Sequence, residues 1–169
     1  GDLNADDTAD AHRTDNAYHV VTLENAGAQT TLDGFTITGG RADGPQEHSV
    51  GGGIRVQNAN FTISGCDIVD NAADWGGGLS CAHSVVAIRA CRFEANVAAE
   101  LGGGVRLVDC EGDLLQAVLL ANEAKSGGGM EVSDKAAIHV ENALIADNTA
   151  VVYGAGVYLS GEADAEFLY

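Results

Sequence analysis

The sequence predicts an all-β chain wound as a right-handed parallel β-helix, with three short strands in each coil of about 25–26 residues. Two independent markers share that period. Asn71, Asn96, Asn122 and Asn148 are 25, 26 and 26 residues apart, and the glycine triplets or their equivalents beginning at 51, 76, 102, 127 and 154 step by 25, 26, 25 and 27. The third observation is the alternation after each triplet. In "WGGGLSC" at 75–81 apolar and polar residues alternate at period two, the mark of a half-buried strand, whereas a phosphate-cradling glycine loop would open a helix.

Three apolar columns define the strands. One contains Phe61/Ile63, Val86/Ile88, Leu114 and Ile138/Val140. The next stands three residues before each asparagine, as Ile68, Phe93, Leu119 and Ile145, with Ile37 in the same place in the first clear repeat. The last comes after the glycines, as Ile54/Val56, Leu79/Cys81, Val105/Leu107, Met130/Val132 and Val157/Leu159. A unit of this size without an amphipathic helix cannot bury its apolar side alone, so it must stack on its neighbour. Right-handed winding is expected from the general hand of parallel crossovers.

The resulting division is a single domain over 1–169: an opening segment at 1–20 with an acidic loop, a first clear coil at 21–57 with an insertion at 41–50, repeat coils at 58–82, 83–108, 109–134 and 135–161, and the start of a further coil at 162–169. This organisation suits a piece of a longer solenoid or a subunit that stacks end to end.

Within each coil the markers have physical roles. Alternation back from Ile54 and Val56 places Gly52, and likewise Gly77, Gly103, Gly128 and Ala155, on the inner face, where a hydrogen or a methyl is expected to fit. The flanking glycines can take positive φ at a corner. Asparagine tolerates a left-handed bend, and its amide both donates and accepts, so Asn71, Asn96, Asn122 and Asn148 are expected to form an internal ladder; solvent-facing turn asparagines are the alternative. Cys66 and Cys91 fall at equivalent inner positions, and Cys81 and Cys110 could meet across neighbouring coils, as free thiols or as disulfides.

Composition narrows the partners. The formal charge of −17, from 25 acids against 8 bases, repels a phosphate backbone and makes nucleic acid a poor partner. No segment approaches the roughly 20 apolar residues of a membrane-spanning helix, so membrane insertion is not expected. With aromatics at 5%, Val, Ile, Leu and Ala must fill thin, regular layers. The acidity serves as a solubilising surface or a supply of oxygen ligands for calcium.

The segments "FEAN" at 93–96, "IVDN", "LLAN" and "IADN", together with "GGGV", resemble the paired FxxN and GGA[ILV] motifs of polymorphic outer membrane proteins, with GGG standing where that family has GGA. "DNAYHVV" at 15–21 and "LDGFTITGG" at 32–40 are similar to right-handed parallel β-helix repeats of bacterial surfaces. The resemblance implies a secreted or surface-attached β-helix, often the passenger or stalk of a large adhesin-like protein, and it does not imply a catalytic residue.

Parallel β-helices also serve as polysaccharide lyases and hydrolases, which makes an enzyme the chief rival. Such chemistry needs paired carboxylates, or calcium-binding acids beside a base. Asp113, His139 and Glu141 are the candidate catalytic cluster, on outward columns shared with Thr62, Ala87, Ser64, Arg89 and Leu115. The third strand presents Arg55, Ser80, Arg106, Glu131 and Tyr158 outward. In the insertion, Glu47 and His48 form a candidate contact loop. Asp2, Asn4, Asp6, Thr8 and Asp10 reproduce the alternate oxygens of a calcium loop, although Asp7 replaces the turn glycine and Arg13 the closing acid. Trp75 and Tyr153 precede the glycines of their repeats, where aromatic rings could stack on sugars. The leading expectation is a noncatalytic, secreted or bacterial cell-surface solenoid, structural or adhesin-like, needing no cofactor unless calcium binds. Its partners would be other copies or flanking solenoid segments end to end, and a surface receptor or polysaccharide.

Overall fold

The computed structural model describes residues 16–27 and 30–169. All strand pairs among them are parallel, and each strand pairs with its equivalent one coil away. No helix among the described residues is long and apolar enough to cross a membrane. The candidate calcium loop, Asp2 to Asp10, lies outside the described residues.

Four sheets run the length of the solenoid, one more than the three apolar columns predict. The first holds Val21–Glu24, Ile54–Gln57, Leu79–Ala82, Val105–Val108, Met130–Ser133 and Val157–Leu159. The second holds Thr30–Asp33, Asn60–Ser64, Val85–Arg89, Glu111–Leu115, Ala137–Glu141 and Asp164–Leu168. The third holds Thr36–Thr38, Asp67–Val69, Arg92–Glu94, Val118–Leu120 and Leu144–Ala146. The additional, fourth sheet lies between the asparagines and the glycines: Arg41–Ala42, Ala72–Trp75, Val97–Leu101, Glu123–Ser126 and Thr149–Tyr153. Its inward column is Ala42, Ala73, Ala98 and Ala124, all buried, and a methyl is too small to announce a strand by hydrophobicity.

Each of the four bends is made by a left-handed residue in register. Asn58, His83, Asp109 and Asp134 form one column; Gly65, Ala90, Gln116 and Asn142 the next; Asp70, Ala95, Ala121 and Asp147 the third; and Gly51, Gly76, Gly102, Gly127 and Gly154 the last. The left-handed residue is therefore the one before each ladder asparagine, not the asparagine itself, which is free to point inward.

There the four asparagines hydrogen-bond along the stack. Nδ2 of Asn71 donates to Oδ1 of Asn96 at 3.1 Å, Nδ2 of Asn96 to Oδ1 of Asn122 at 3.1 Å, and Nδ2 of Asn122 to Oδ1 of Asn148 at 3.0 Å. Each Nδ2 also donates to a carbonyl of the preceding coil, on Ile37, Ile68, Phe93 and Leu119. Each Oδ1 accepts in addition a backbone N–H from that coil, beginning with Gly40 on Asn71 at 2.9 Å.

The middle glycines are more constrained than their sequence positions suggest. A Cβ on Gly52, Gly77, Gly103 or Gly128 would overlap backbone carbonyl oxygens of the next coil, so a methyl does not fit. Ala155 occupies the same column on the outermost rung of the described chain, where it is exposed. The third glycines face the ladder: a Cβ on Gly104 would sit 3.0 Å from Nδ2 of Asn122. Around these columns the core is a shared stack of Ile54, Leu79, Val105 and Met130 facing Ile63, Ile88, Leu114 and Val140, with Ile68, Phe93 and Leu119 on the third side.

Candidate functional site: a concave corner with a bulge-bounded trough

The first and fourth sheets meet at a concave corner, and the side chains on the outward face of the first sheet reveal it. Thr22, Arg55, Ser80, Arg106, Glu131 and Tyr158 form one column there. Arg55, Ser80 and Glu131 are nevertheless buried, at 7%, 4% and 0% exposure. The glycine bend folds the chain back against them: a Cβ on Gly76 would meet Cβ of Ser80 at 2.7 Å, and one on Gly127 would meet Cβ of Glu131 at 3.0 Å. Residues expected to be solvated are thus covered by the bend.

The cleft wall is shaped by repeat length. From asparagine to the first glycine after it the chain takes five residues at 71–76 and 122–127, but six at 96–102 and 148–154. The extra residue is absorbed as a β-bulge: Ala98 pairs with Ala73 and Leu101 with Trp75, and Ala124 pairs with Ala150 but Ser126 with Tyr153. Val97–Leu101 and Thr149–Tyr153 therefore stand out as ribs on either side of the shorter Glu123–Ser126 rung. Between them lies a trough of about 530 Å³, within the range of small-ligand sites.

Ser126 and Lys125 line its short rung, with Glu100 and Leu101 on one rib and Val152 and Tyr153 on the other. Lys125 Nζ donates to Glu100 Oε2 at 2.7 Å. Tyr158 of the first sheet and Ser160 just after that strand close the inner side, and Trp75 and Asp74 extend the lining one rung further. Tyr153 stacks on Tyr158 with ring centroids 5.5 Å apart. Of the candidates named from sequence, Trp75 and Tyr153 are brought to this one trough. Val50, Leu101 and Ser126 hold the equivalent place in the other coils, so the two rings are not in one continuous aromatic row: Val50 bridges Trp75, Leu101 pairs with Trp75, and Ser126 pairs with Tyr153.

Glu131 is the chemically unusual group. Neither carboxylate oxygen has a hydrogen-bond partner, and Arg106 Nε stands 3.4 Å from Oε2, also without one. Burial pushes the Glu131 carboxyl above its ordinary value, opposed by Ser133 and Arg106. The column assignment identified Glu131 as outward-facing; the positive-φ glycine four residues earlier was the one signal that the outward face is covered.

The Asp113, His139, Glu141 cluster is placed differently. Asp113 pairs with His139, which pairs with Glu166, so Glu166 joins the group. His139 Nδ1 lies 3.2 Å from Glu166 and Nε2 3.4 Å from Glu141, and these carboxylates raise its pKa. Asp113 turns to Arg89 at 3.8 Å. The two carboxylates thus favour the imidazolium, the form that has no lone pair for a general base. In the insertion, Gln46–Ser49 forms a 3-10 turn; Glu47 is exposed, while the His48 ring stacks on Tyr18 at 4.8 Å. No group of three or more His, Cys, Asp or Glu among the described residues is arranged to hold a metal.

A family model described as "Right handed beta helix region" matches residues 14–168. Comparison with curated proteins and with solved structures returned no match.

Proposed function

This chain belongs to the family of right-handed β-helix regions, and from that premise we propose that it is a noncatalytic module of a secreted or bacterial cell-surface protein, adhesin-like, that holds a polysaccharide segment along its concave corner. The bulge-bounded trough carries this reading. It offers flat apolar faces at Trp75, Tyr153 and Tyr158, hydrogen-bonding groups at Ser126, Ser160, Lys125 and Glu100, and a floor ruled at the roughly 4.8 Å spacing of parallel strands. A linear polymer of hydroxyl-bearing rings can use all three. The FxxN and GGA-like motifs support the surface address, as in the polymorphic outer membrane proteins that they resemble.

Trp75 is the single tryptophan of the chain and lines the trough, so its fluorescence reports occupancy directly. Titration with a panel of neutral and acidic polysaccharides should give a saturable change with at least one. Tyr153→Ala should weaken that binding by about fivefold, since aromatic contacts are worth on the order of 1 kcal/mol. A flat titration across the panel would overturn the reading.

One observation favours an enzyme, the buried carboxyl of Glu131 beside Arg106. Release of new reducing ends or unsaturated sugars, abolished by Glu131→Gln, would replace binding with cleavage. Loss of cleavage on changing Asp113, His139 or Glu141 would move the chemistry to the second sheet. End-to-end association with other copies or solenoid segments is a further part of the proposal. Sedimentation of the isolated chain tests it, and a strictly monomeric species at high concentration would count against self-stacking.

A further inference from the structure

We propose that Cys81 and Cys110 are a site of oxidative modification and close to an intrachain disulfide joining two adjacent coils, with a low-molecular-weight disulfide such as oxidised glutathione as the co-reactant. The proposal does not rest on the ligand reading of the trough, which lies on other residues.

The geometry singles out this pair from the four cysteines. Cys81 sits inward on the first sheet. Cys110 comes after Val108 and the left-handed bend at Asp109, one coil further on. Strand register places Leu107 beside Cys81, and the turn at Asp109 swings Cys110 back so that the two sulfurs lie 3.1 Å apart. Closing to a disulfide at about 2.05 Å asks for roughly 1 Å of movement, a scale that side-chain rotation at a bend can supply. Both thiols are completely buried, yet a hollow of about 480 Å³ opens at this corner, lined by His83, Ser84, Asp109 and Glu111 among others. Asp109 and Glu111 flank Cys110 in sequence, so a small reagent in the hollow comes within one residue of its sulfur. Cys66, Cys91 and Cys110 all place Sγ 3.2–3.3 Å from the carbonyl two residues earlier, on Ser64, Arg89 and Val108, so it is the second sulfur 3.1 Å away that sets Cys110 and Cys81 apart.

The chemistry also has a direction. The hydrogen bond shared between the sulfurs draws Cys110 below the ordinary thiol range and, together with burial, pushes Cys81 above it. Burial likewise raises Cys91, to about 11. Cys110, whose neighbours Asp109 and Glu111 line the hollow, is therefore the sulfur placed to attack, as its thiolate. It bonds to one sulfur of the co-reactant and expels the other as a thiolate, which takes up the proton that Cys110 lost. Cys81 then gives up its proton and attacks Sγ of Cys110, forming the Sγ–Sγ bond and releasing the second small thiol. Two protein thiols lose two electrons and two protons, and one disulfide becomes two thiols.

The experiment is to unfold the full chain, refold it in a glutathione redox buffer, block free thiols and map linked peptides without reduction. Cys66 and Cys81 share the tryptic peptide between Arg55 and Arg89, so the Cys66→Ser variant is mapped alongside the parent to make the assignment unique. The expected result is one Cys81–Cys110 link per chain, with Cys66 and Cys91 alkylated. Oxidation should raise the thermal midpoint by about 10 °C, as closing a loop of this length constrains the unfolded chain. Cys110→Ala should abolish both the link and the shift, whereas Cys91→Ala should leave the link in place. Four alkylated cysteines after refolding, or a Cys66–Cys91 link in their stead, would overturn the proposal.

Discussion

Asn122 is held from both neighbouring coils. It donates to Phe93 O at 2.9 Å and to Asn148 Oδ1 at 3.0 Å, and accepts from the backbone and side chain of Asn96 at 3.0 and 3.1 Å. Asn122→Ala leaves the buried Asn96 N–H without its acceptor and takes a donor from the Phe93 carbonyl, and should cost about 3 kcal/mol in urea unfolding. Asn122→Asp keeps the acceptor but turns oxygen toward oxygen at Phe93 and Asn148, so its deficit should be greater at neutral pH than in acid. Glu131 makes the opposite case. Its folded pKa is raised, chiefly by burial, so its contribution to stability is fully present below the ordinary carboxylate value and is lost as pH rises through the folded value. Glu131→Gln should flatten that decline in a series of unfolding curves from mildly acidic to neutral pH; an unchanged slope would mean the carboxyl is not the cause.

Bends and strands show where the sequence was readable. Columns whose inward side chain is large, such as Ile68, Phe93 and Leu119, stood out because the interior filters for size in every coil. The alanine column of the fourth sheet was equally periodic, two residues after each asparagine, but alanine is common everywhere and carries no strand signature of its own. Positive φ at Ala90, Ala95 and Ala121 left no mark at all, since nothing in alanine advertises a left-handed backbone. Each of these should become more stable by about 0.5–1 kcal/mol on change to glycine, because the relief of backbone strain exceeds the added chain entropy. Gly103→Ala should do the reverse and lose about 3 kcal/mol, its methyl driven into carbonyl oxygens of Glu123 and Gly128. Thermal unfolding of the four variants separates the two classes of position.

Over the whole molecule, 25 acids against 8 bases surround a narrow core, and their mutual repulsion opposes the folded state. Screening should therefore raise the thermal midpoint between low salt and about half-molar sodium chloride. A midpoint that falls would show that the ion pairs, among them Arg92–Asp67 and Lys125–Glu100, outweigh the repulsion. The period, the stacking and the ladder columns were legible because every coil repeats the same internal contacts. The concave corner was not, because the angle between sheets is set by backbone bends and side-chain identity barely registers it. Nor was the trough, although the alternation of five and six residues was present in plain counting. That alternation separates two design problems that most proteins must solve together. One residue inserted beside Lys125 would raise a third rib and level the hollow, while Ala124, Asn122 and the glycines kept their places inside. The outer relief of this solenoid can be rewritten one amino acid at a time, like type reset on an unchanged press, without the interior registering the edit.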